Sequence, residues 1–176
     1  MIATNWYVIT GAPSSGKTSL INRLAAIGYK TLPEAARSYI SELMAHHLSL
    51  EEIRHDNKHL QQNIFSLMQQ REQQLNTDDL YFFDRGLPDS IAYFQFHHLD
   101  ETQVISSCQT HRYKKVFYCD NLPLVHDKIR DEDEESAHRI GEYIYAAYTN
   151  LGYELIKLPA VSVEKRLAII LSHIPS

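Results

Sequence analysis

Cysteine is scarce in this chain of 176 residues, and its two cysteines, Cys108 and Cys119, form no CxxC pair. Secreted domains that depend on disulfides carry many more, so this scarcity predicts a reducing, cytoplasmic environment. No basic N-terminal segment is followed by an apolar stretch and a cleavage site, so we expect no secretory signal. No apolar run reaches the roughly 18 residues of a membrane-spanning helix. The sequence therefore predicts a soluble protein without a membrane span.

Positive charge is not in excess either, because the chain has 17 Lys and Arg residues against 22 Asp and Glu residues, which gives a formal net charge of −5. Proteins that bind nucleic acid concentrate Lys and Arg on their surface, so we expect no nucleic-acid partner. A small phosphorylated ligand remains compatible, since it needs only a few local cations. Hydrophobic residues make up 44% and charged residues 22%, which is close to globular usage. Residues 1–176 are most simply a single domain.

Short apolar segments alternate with amphipathic helices along the chain. Apolar side chains recur with the helical period of 3.6 residues between the segments, and most clearly over 140–151 and 163–174. Such alternation predicts an α/β protein, a three-layer αβα sandwich around a mostly parallel sheet. The predicted strands cover residues 6–10, 29–32, 80–84, 115–120 and 154–158.

The segment GAPSSGKT, residues 11–18, matches the phosphate-loop pattern GxxxxGK[ST] between a predicted strand and a predicted helix. Glycines let backbone N–H groups turn toward phosphate oxygens, and the N-terminus of the following helix adds positive potential. Lys17 is expected to reach the β- and γ-phosphates, and the Thr18 hydroxyl is expected to bind Mg²⁺. We therefore predict that ATP binds to Gly11, Ala12, Pro13, Ser14, Ser15, Gly16, Lys17, Thr18 and Ser19.

Asp84 ends the apolar strand LYFFD, where phosphate-loop proteins place the acid that holds Mg²⁺. We predict that Asp84 and Thr18 share this metal. Arg85 follows, where ring-forming motor ATPases carry a glutamate that activates water. The guanine-reading pattern NKxD is also missing, since DNKH at 56–59 is followed by Leu60.

A small-molecule kinase needs a group facing the acceptor hydroxyl and cations around the transferred phosphoryl group. Glu34 and Arg37 follow the second predicted strand, at the sheet edge where ligands of open α/β sheets bind. Glu34 could accept the hydroxyl proton or hold a sugar hydroxyl. The alternative is an exposed glutamate that favours the helix dipole.

Three further arginines are candidates for the site. Residues 120–138 resemble a lid, in which Arg130 and Arg139 would close on the nucleotide. A continuous helix would place these two on opposite faces, so a chain break between them is expected, with Asp131 or Asp133 as N-cap. Arg71 lies inside the apolar stripe of a helix over 57–75, and either enters the substrate cleft or snorkels from the stripe's edge.

The segments ITGAPSSGKTSL, LPEAARSYI, FFDRGLPDSIAYF, DKIR and LGYELIKLP together resemble predicted AAA-type P-loop domains related to the NadR ribosylnicotinamide kinase domain. The similarity covers most of the chain in the same order. It implies a fold like those of nucleoside and nucleotide kinases, with five parallel strands in the order 2-3-1-4-5. It also implies ATP and Mg²⁺ at Gly11–Thr18, with Asp84 as the acid on the metal side, Glu34 at the acceptor hydroxyl and Arg130 at the start of the lid. The turn LPEAAR departs from ribosylnicotinamide kinase domains, so nicotinamide riboside is not implied as the substrate.

These observations predict a kinase that transfers the γ-phosphoryl group of ATP to a small, nucleoside-like metabolite with a hydroxyl group. The acceptor would contact Glu34, Arg37, Arg71 and Arg85, and the catalytic residues would be Lys17, Asp84, Glu34, Arg130 and Arg139.

Two other interpretations remain open from the sequence. One is a regulatory switch, in which bound ATP or GTP orders residues 120–138 for a protein partner. The other is a motor ATPase, which would assemble rings, whereas a kinase is expected to be a monomer or dimer.

Overall fold

The computed structural model describes residues 1–122 and 134–175. Arg130 and most of the predicted lid lie outside these ranges. The strands are β1 (Ile2–Ala3), β2 (Trp6–Gly11), β3 (Lys30–Leu32), β4 (Tyr81–Asp84), β5 (His111–Arg112), β6 (Lys115–Cys119) and β7 (Leu155–Leu158). The helices are α1 (Lys17–Ala26), α2 (Ala35–Ala45), α3 (Leu50–His55), α4 (Asn57–Gln73), α5 (Leu87–Phe96), α6 (Thr102–Cys108), α7 (Glu134–Asn150) and α8 (Val163–Ser172). Across both ranges, no helix combines the length and the apolar character needed to cross a membrane.

Five strands form one parallel sheet in the order β3-β4-β2-β6-β7. Counted among these five alone, their chain order is 2-3-1-4-5, which is the order that the resemblance implies. Strands β1 and β5 form a separate parallel pair that was not predicted. Each has only two residues, too few to show the alternating period of a strand.

The central strand β2 is buried on both faces, as expected for a strand inside a parallel sheet covered by helices. Its side chains alternate between two cores. Tyr7 and Ile9 pack with apolar side chains of α1 and α8. Trp6 and Val8 pack on the other face with side chains of α5 and α7. The three-layer αβα sandwich is thereby confirmed.

Two helix boundaries follow local signals in the sequence. The side chain of Asp56 caps α4 by accepting from the His59 N–H at 2.9 Å. Gly28, just past α1, has a φ of +100°, the left-handed conformation that suits glycine there. Helices α3 and α6 were not predicted, because six and seven residues are too few to establish a helical period.

The sheet brings its candidate residues to one edge. Parallel strands all end at the same side, so the chain leaves β2 at Gly11, β3 at Leu32, β4 at Asp84 and β6 at Cys119 toward a common region. This is the edge where open α/β sheets bind their ligands.

Candidate active site

The phosphate loop joins the end of β2 to the start of α1 through left-handed backbone conformations. Gly11 has a φ of +140°, and a Cβ there would lie 2.6 Å from the carbonyl oxygen of Cys119. Ser14 and Gly16 have φ values of +62° and +89°. Glycine tolerates such values at little cost, which explains both glycines of the motif. The helix α1 starts directly after Gly16, so its N-terminal N–H groups and positive dipole end face the loop.

Lys17 is buried, and its ammonium group folds back over the loop. Its Nζ donates to the carbonyl oxygen of Ala12 at 2.6 Å and to Ser15 Oγ at 3.2 Å. Burial and, to a lesser extent, the positive charge of Arg85 lower the pKa of Lys17 to about 8, against the opposing effect of Asp84. A buried, weakly compensated ammonium group is suited to receive phosphate oxygens.

Thr18 and Asp84 meet across the top of the sheet. Thr18 Oγ1 donates to Asp84 Oδ2 at 2.9 Å, whereas the buried Asp84 Oδ1 has no hydrogen-bond partner in the described part of the chain. Burial raises the pKa of Asp84, as does the negative charge of Glu34, while Lys17 and Arg85 counteract this. A hydroxyl beside an orphaned carboxylate oxygen is the hard oxygen donor set that Mg²⁺ prefers, so these residues fit the metal.

Glu34 lies just before α2, and its side chain is 17% exposed. Its Oε1 accepts from Arg85 Nε at 3.0 Å, and its Oε2 lies 3.9 Å from Arg37 Nε. Burial by itself would raise the pKa of Glu34, but the positive charges of Arg85 and Lys17 outweigh it, so the pKa is lowered. Glu34 is therefore an ionised, ion-paired carboxylate, and the alternative of an exposed glutamate at a helix start is wrong.

Arg85 has the left-handed φ of +73°, which costs a non-glycine residue roughly 1–2 kcal/mol. Its buried side chain thereby reaches Glu34 and also donates from Nη1 to Asp89 Oδ1 at 3.1 Å. Asp89 is buried as well and accepts from Thr10 Oγ1 at 2.6 Å and from the Tyr148 hydroxyl at 2.6 Å. The two carboxylates offset both the backbone strain and the burial of the guanidinium group.

A cleft of about 1120 Å³ runs from the phosphate loop past Glu34 to the helices α2–α5. The phosphate loop lines one part of the cleft. The other part, called the second half-cleft below, has apolar and aromatic walls with a few polar groups, the usual character of a small-molecule site. Among the described residues, this second half is lined by Arg37, Ile40, Ser41, Arg54, Asn57, Leu60, Gln61, Ile64, Met68, Ser90, Tyr93, Phe96 and His97.

The predicted arginines are distributed unevenly around this cleft. Arg37 lines it with a side chain that is 68% exposed. Arg71 instead lines a small neighbouring cavity, where its Nη1 donates to the Pro33 carbonyl oxygen at 3.1 Å, and so ties α4 to the segment before α2. The guanidinium carbon of Arg139 lies 5.6 Å from the ring centre of Phe96, on the wall of the cleft. Arg130 lies outside the described residues, as do Asp131 and Asp133.

Sequence reasoning missed three residues of this region. Asp89, which anchors Arg85, is a helix residue with no motif of its own, although it lies in the segment FFDRGLPDSIAYF that carries the family resemblance. Gln61 is only 9% exposed and lines the cleft, and its amide has no hydrogen bond to any described residue. Arg166 is 1% exposed and donates to the phosphate loop. Its one available signal was a charge at a position three residues after Val163 and four before Ile170, within the apolar stripe of α8.

A parallel sheet in the order found here, with a GxxxxGK[ST] loop after its central strand and an acid at the end of the neighbouring strand, defines a P-loop nucleotide-binding domain. Comparison of the sequence with known families identifies the particular family within this class. Residues 6–166 match the family described as AAA domain. The chain therefore belongs to this AAA-domain family.

Solved structures that share this fold include NadR, thymidylate kinases and a deoxyadenosine kinase. A crystal structure of NadR protein in complex with NR is 19% identical, with a TM-score of 0.69 over 97% of this chain and 51% of that one. The chain thus spans about half the length of NadR. Thymidylate kinase from Ehrlichia chaffeensis is 14% identical, with a TM-score of 0.67 over 95% and 96% of the two chains. Deoxyadenosine kinase from M. mycoides with bound dATP is 13% identical, with a TM-score of 0.61 over 95% and 97%. No curated protein matches the sequence.

Proposed function

We propose that this domain is a Mg²⁺-dependent phosphotransferase that moves the γ-phosphoryl group of ATP to a hydroxyl group of a small, nucleoside-like metabolite. The position of Glu34 carries this proposal. An ionised carboxylate lies between the phosphate loop and a second half-cleft, and its charge is coupled to that of Lys17. Hydrolysis of ATP requires no such second compartment, whereas phosphoryl transfer to a metabolite does.

The proposed roles follow from the positions of the side chains. The loop from Gly11 to Ser19 would hold the triphosphate, and Lys17 would neutralise charge on the transferred group. Thr18 and Asp84 would hold Mg²⁺, which when bound would screen the negative charge of the β- and γ-phosphates. Arg130 and Arg139 are proposed to add positive charge from the predicted lid.

Glu34 is proposed to orient the acceptor hydroxyl by accepting its hydrogen bond. Because Arg85 and Lys17 lower the pKa of Glu34, this carboxylate is a weak base at neutral pH. Its contribution is then mainly to align the hydroxyl oxygen with the phosphoryl group, and to accept the proton as the new bond to phosphorus forms. Arg37 lies close enough to the same carboxylate to contact the acceptor beside it.

The second half-cleft supports a flat acceptor with hydrogen-bonding groups on its edge. Tyr93 and Phe96 supply aromatic rings, and Ile64 and Met68 supply apolar wall. The Gln61 amide offers a donor and an acceptor side by side. A nucleobase, or another planar ring with an amide-like edge, satisfies both requirements. The shared fold with thymidylate kinase and deoxyadenosine kinase is consistent with such an acceptor.

The test is ADP release from Mg-ATP with and without pools of nucleosides, nucleoside monophosphates, sugars and other small alcohols. Stimulation by one pool, well above the acceptor-free rate, would support the kinase and narrow its substrate. A slow rate that no pool changes would contradict phosphoryl transfer and favour the regulatory switch. In that case the next search would be for a protein partner of the nucleotide-bound form.

A further inference from the structure

Arg166 is a buried cation that ties the ends of β6 and β7 to the phosphate loop. It lies near the start of α8 and is 1% exposed. Its guanidinium group donates from Nη1 to the carbonyl oxygen of Ser15 at 2.5 Å, from Nη2 to that of Asp120 at 2.8 Å, and from Nε to that of Pro159 at 2.7 Å. Three carbonyl groups, from the loop, the end of β6 and the end of β7, thus share one side chain.

Within residues 1–122 and 134–175, the charge of Arg166 is balanced by the dipoles of backbone carbonyl groups. Among the described residues, no carboxylate oxygen lies within ion-pair distance of its guanidinium group, whereas Arg85 has two such partners. A buried charge without a counter-charge is costly, so an anionic ligand in the adjacent loop would relieve it. The guanidinium group is close to that loop, since a Cβ at Gly16 would lie 3.3 Å from Arg166 Nη1.

The hydrogen bond to Ser15 also fixes the direction of a donor. A trans peptide group is planar, and its C=O and N–H bonds point in opposite directions. Because the Ser15 carbonyl points toward Arg166, the Gly16 N–H of the same peptide points away from it. In phosphate loops such backbone N–H groups receive the phosphate oxygens.

We propose that Arg166 is a positioning residue for the triphosphate. It pins the peptide between Ser15 and Gly16 so that the Gly16 N–H faces the bound phosphates, and it adds a fixed positive charge beside them. This inference rests on the nucleotide-binding half of the proposed function and not on phosphoryl transfer. A fixed unit charge close to the ligand in a partly screened site changes affinity on the order of tenfold, and the effect grows with the charge of the ligand.

The test compares Arg166→Gln, which removes the charge, with Arg166→Lys, which keeps the charge and loses the three-way contact. Ser162→Ala is the matched control, since it removes the cap of the same helix and leaves the Ser15 carbonyl contact in place. Affinities for AMP-PNP, ADP and inorganic tripolyphosphate are measured by calorimetry with Mg²⁺ present.

We expect Arg166→Gln to lower the affinity for AMP-PNP and tripolyphosphate at least tenfold, and the affinity for ADP by a smaller factor. Arg166→Lys should lose less affinity than Arg166→Gln. Ser162→Ala should bind all three ligands like the wild type. Equal losses for AMP-PNP and ADP, or the same losses in Ser162→Ala, would overturn the proposal, because a loosened α8 would then explain them. Unchanged affinities in Arg166→Gln would overturn it too. If the wild type binds neither AMP-PNP nor tripolyphosphate, the nucleotide site itself fails and this inference fails with it.

A measurement on the wild-type protein covers the case in which Arg166→Gln does not fold. The amide signal of Gly16 is followed by ¹H–¹⁵N NMR during titration with tripolyphosphate. A downfield shift of its proton, as a new hydrogen bond to phosphate produces, supports the proposal. A Gly16 signal that stays in place while the amides of Lys17 and Thr18 shift would overturn it.

Discussion

Glu34 and Arg85 are joined by a hydrogen bond of 3.0 Å between Oε1 and Nε, although 51 residues separate them along the chain. The pair links the acceptor side of the cleft to the strand end that carries Asp84. Because Arg85 is also bound to Asp89, its guanidinium group is held from both sides and cannot swing toward a ligand without breaking an ion pair. The sequence analysis predicted that Arg85 contacts the acceptor. Its two ion pairs place it better to hold Glu34 than to bind substrate itself.

Glu34→Gln should lower turnover with the acceptor by about 100-fold or more, the range typical of a lost acid–base group. Nucleotide affinity should change far less than turnover, since no hydrogen bond of the phosphate loop is lost and only the electrostatic effect of Glu34 on Lys17 changes. Steady-state kinetics and AMP-PNP binding measure the two effects. Glu42→Gln, at an exposed position of α2, the helix that follows Glu34, is the control and should behave like the wild type. Full turnover in Glu34→Gln would argue against the kinase.

Nucleotide affinity should depend on pH through Lys17. Since burial lowers the pKa of Lys17 to about 8, the ammonium group is charged at pH 7 and pairs directly with phosphate. Above pH 8, the Lys17 amine is mostly neutral and must take up a proton when the nucleotide binds. The affinity for Mg-ADP should therefore fall about tenfold between pH 7 and pH 9. Calorimetry in two buffers of different ionisation enthalpy would show uptake of nearly one proton at pH 9. Lys17→Met should bind Mg-ADP weakly at every pH. A wild-type affinity that does not change with pH would contradict a direct contact between Lys17 and phosphate.

Asp84→Asn should raise the Mg²⁺ concentration needed for half-maximal AMP-PNP binding by at least tenfold. The change replaces an anionic oxygen donor by a neutral amide, which Mg²⁺ binds poorly. Binding of AMP-PNP is titrated against Mg²⁺ by fluorescence or calorimetry. Asp78→Asn, at an exposed position on the loop before β4, should leave the Mg²⁺ dependence unchanged. If Asp84→Asn does the same, Asp84 does not hold the metal.

Gln61→Leu should raise the KM for the acceptor at least tenfold and leave the KM for ATP nearly unchanged. Leucine keeps the approximate size of the side chain but leaves polar edge groups of a bound ring without partners, a loss that costs about 1–3 kcal/mol. Gln62→Leu, at the neighbouring exposed position of α4, controls for the loss of a glutamine from this helix. Equal acceptor KM values in both variants would remove Gln61 from the acceptor site.

Asp89→Ala should destabilise the fold by about 3–5 kcal/mol, as expected when one partner of a buried ion pair is removed. The change leaves Arg85, Thr10 and Tyr148 without an acceptor that all three use. For a protein of this length we expect the melting temperature to fall by roughly 10 °C. Asp79→Ala removes the exposed pair with Lys30 and should hardly change the melting temperature. A small effect of Asp89→Ala would mean that solvent replaces the lost carboxylate.

The phosphate loop and Asp84 were predictable because their signals are local. The loop is a contiguous pattern between a strand and a helix, and Asp84 directly ends an apolar run. Both depend on the covalent order of a few residues, so no tertiary information was needed. The alternation of strands and helices likewise fixed the three-layer class, whereas the strand order came from the resemblance.

The charged residues inside helix stripes were not predictable in the same way. Arg71 and Arg166 interrupt apolar stripes in the same manner, yet Arg71 contacts the Pro33 carbonyl and Arg166 contacts the phosphate loop. A sequence pattern shows that such a side chain lies at the edge of a buried face. It does not show which backbone carbonyl groups lie opposite, because those come from strands far along the chain.

The sequence by itself thus determined the fold class, the phosphate loop and the acid at the end of β4, all of which follow from local backbone geometry and periodicity. The tertiary structure decided how the remaining charges are paired. Whether Glu34 is exposed or bound depends on the left-handed backbone of Arg85, and the orientation of Arg85 depends on Asp89 and, through it, on Tyr148 in α7. Burial makes each of these pairings obligatory, since an unpaired charge in the interior costs several kcal/mol, and only the packed sheet and helices determine which partner each charge meets.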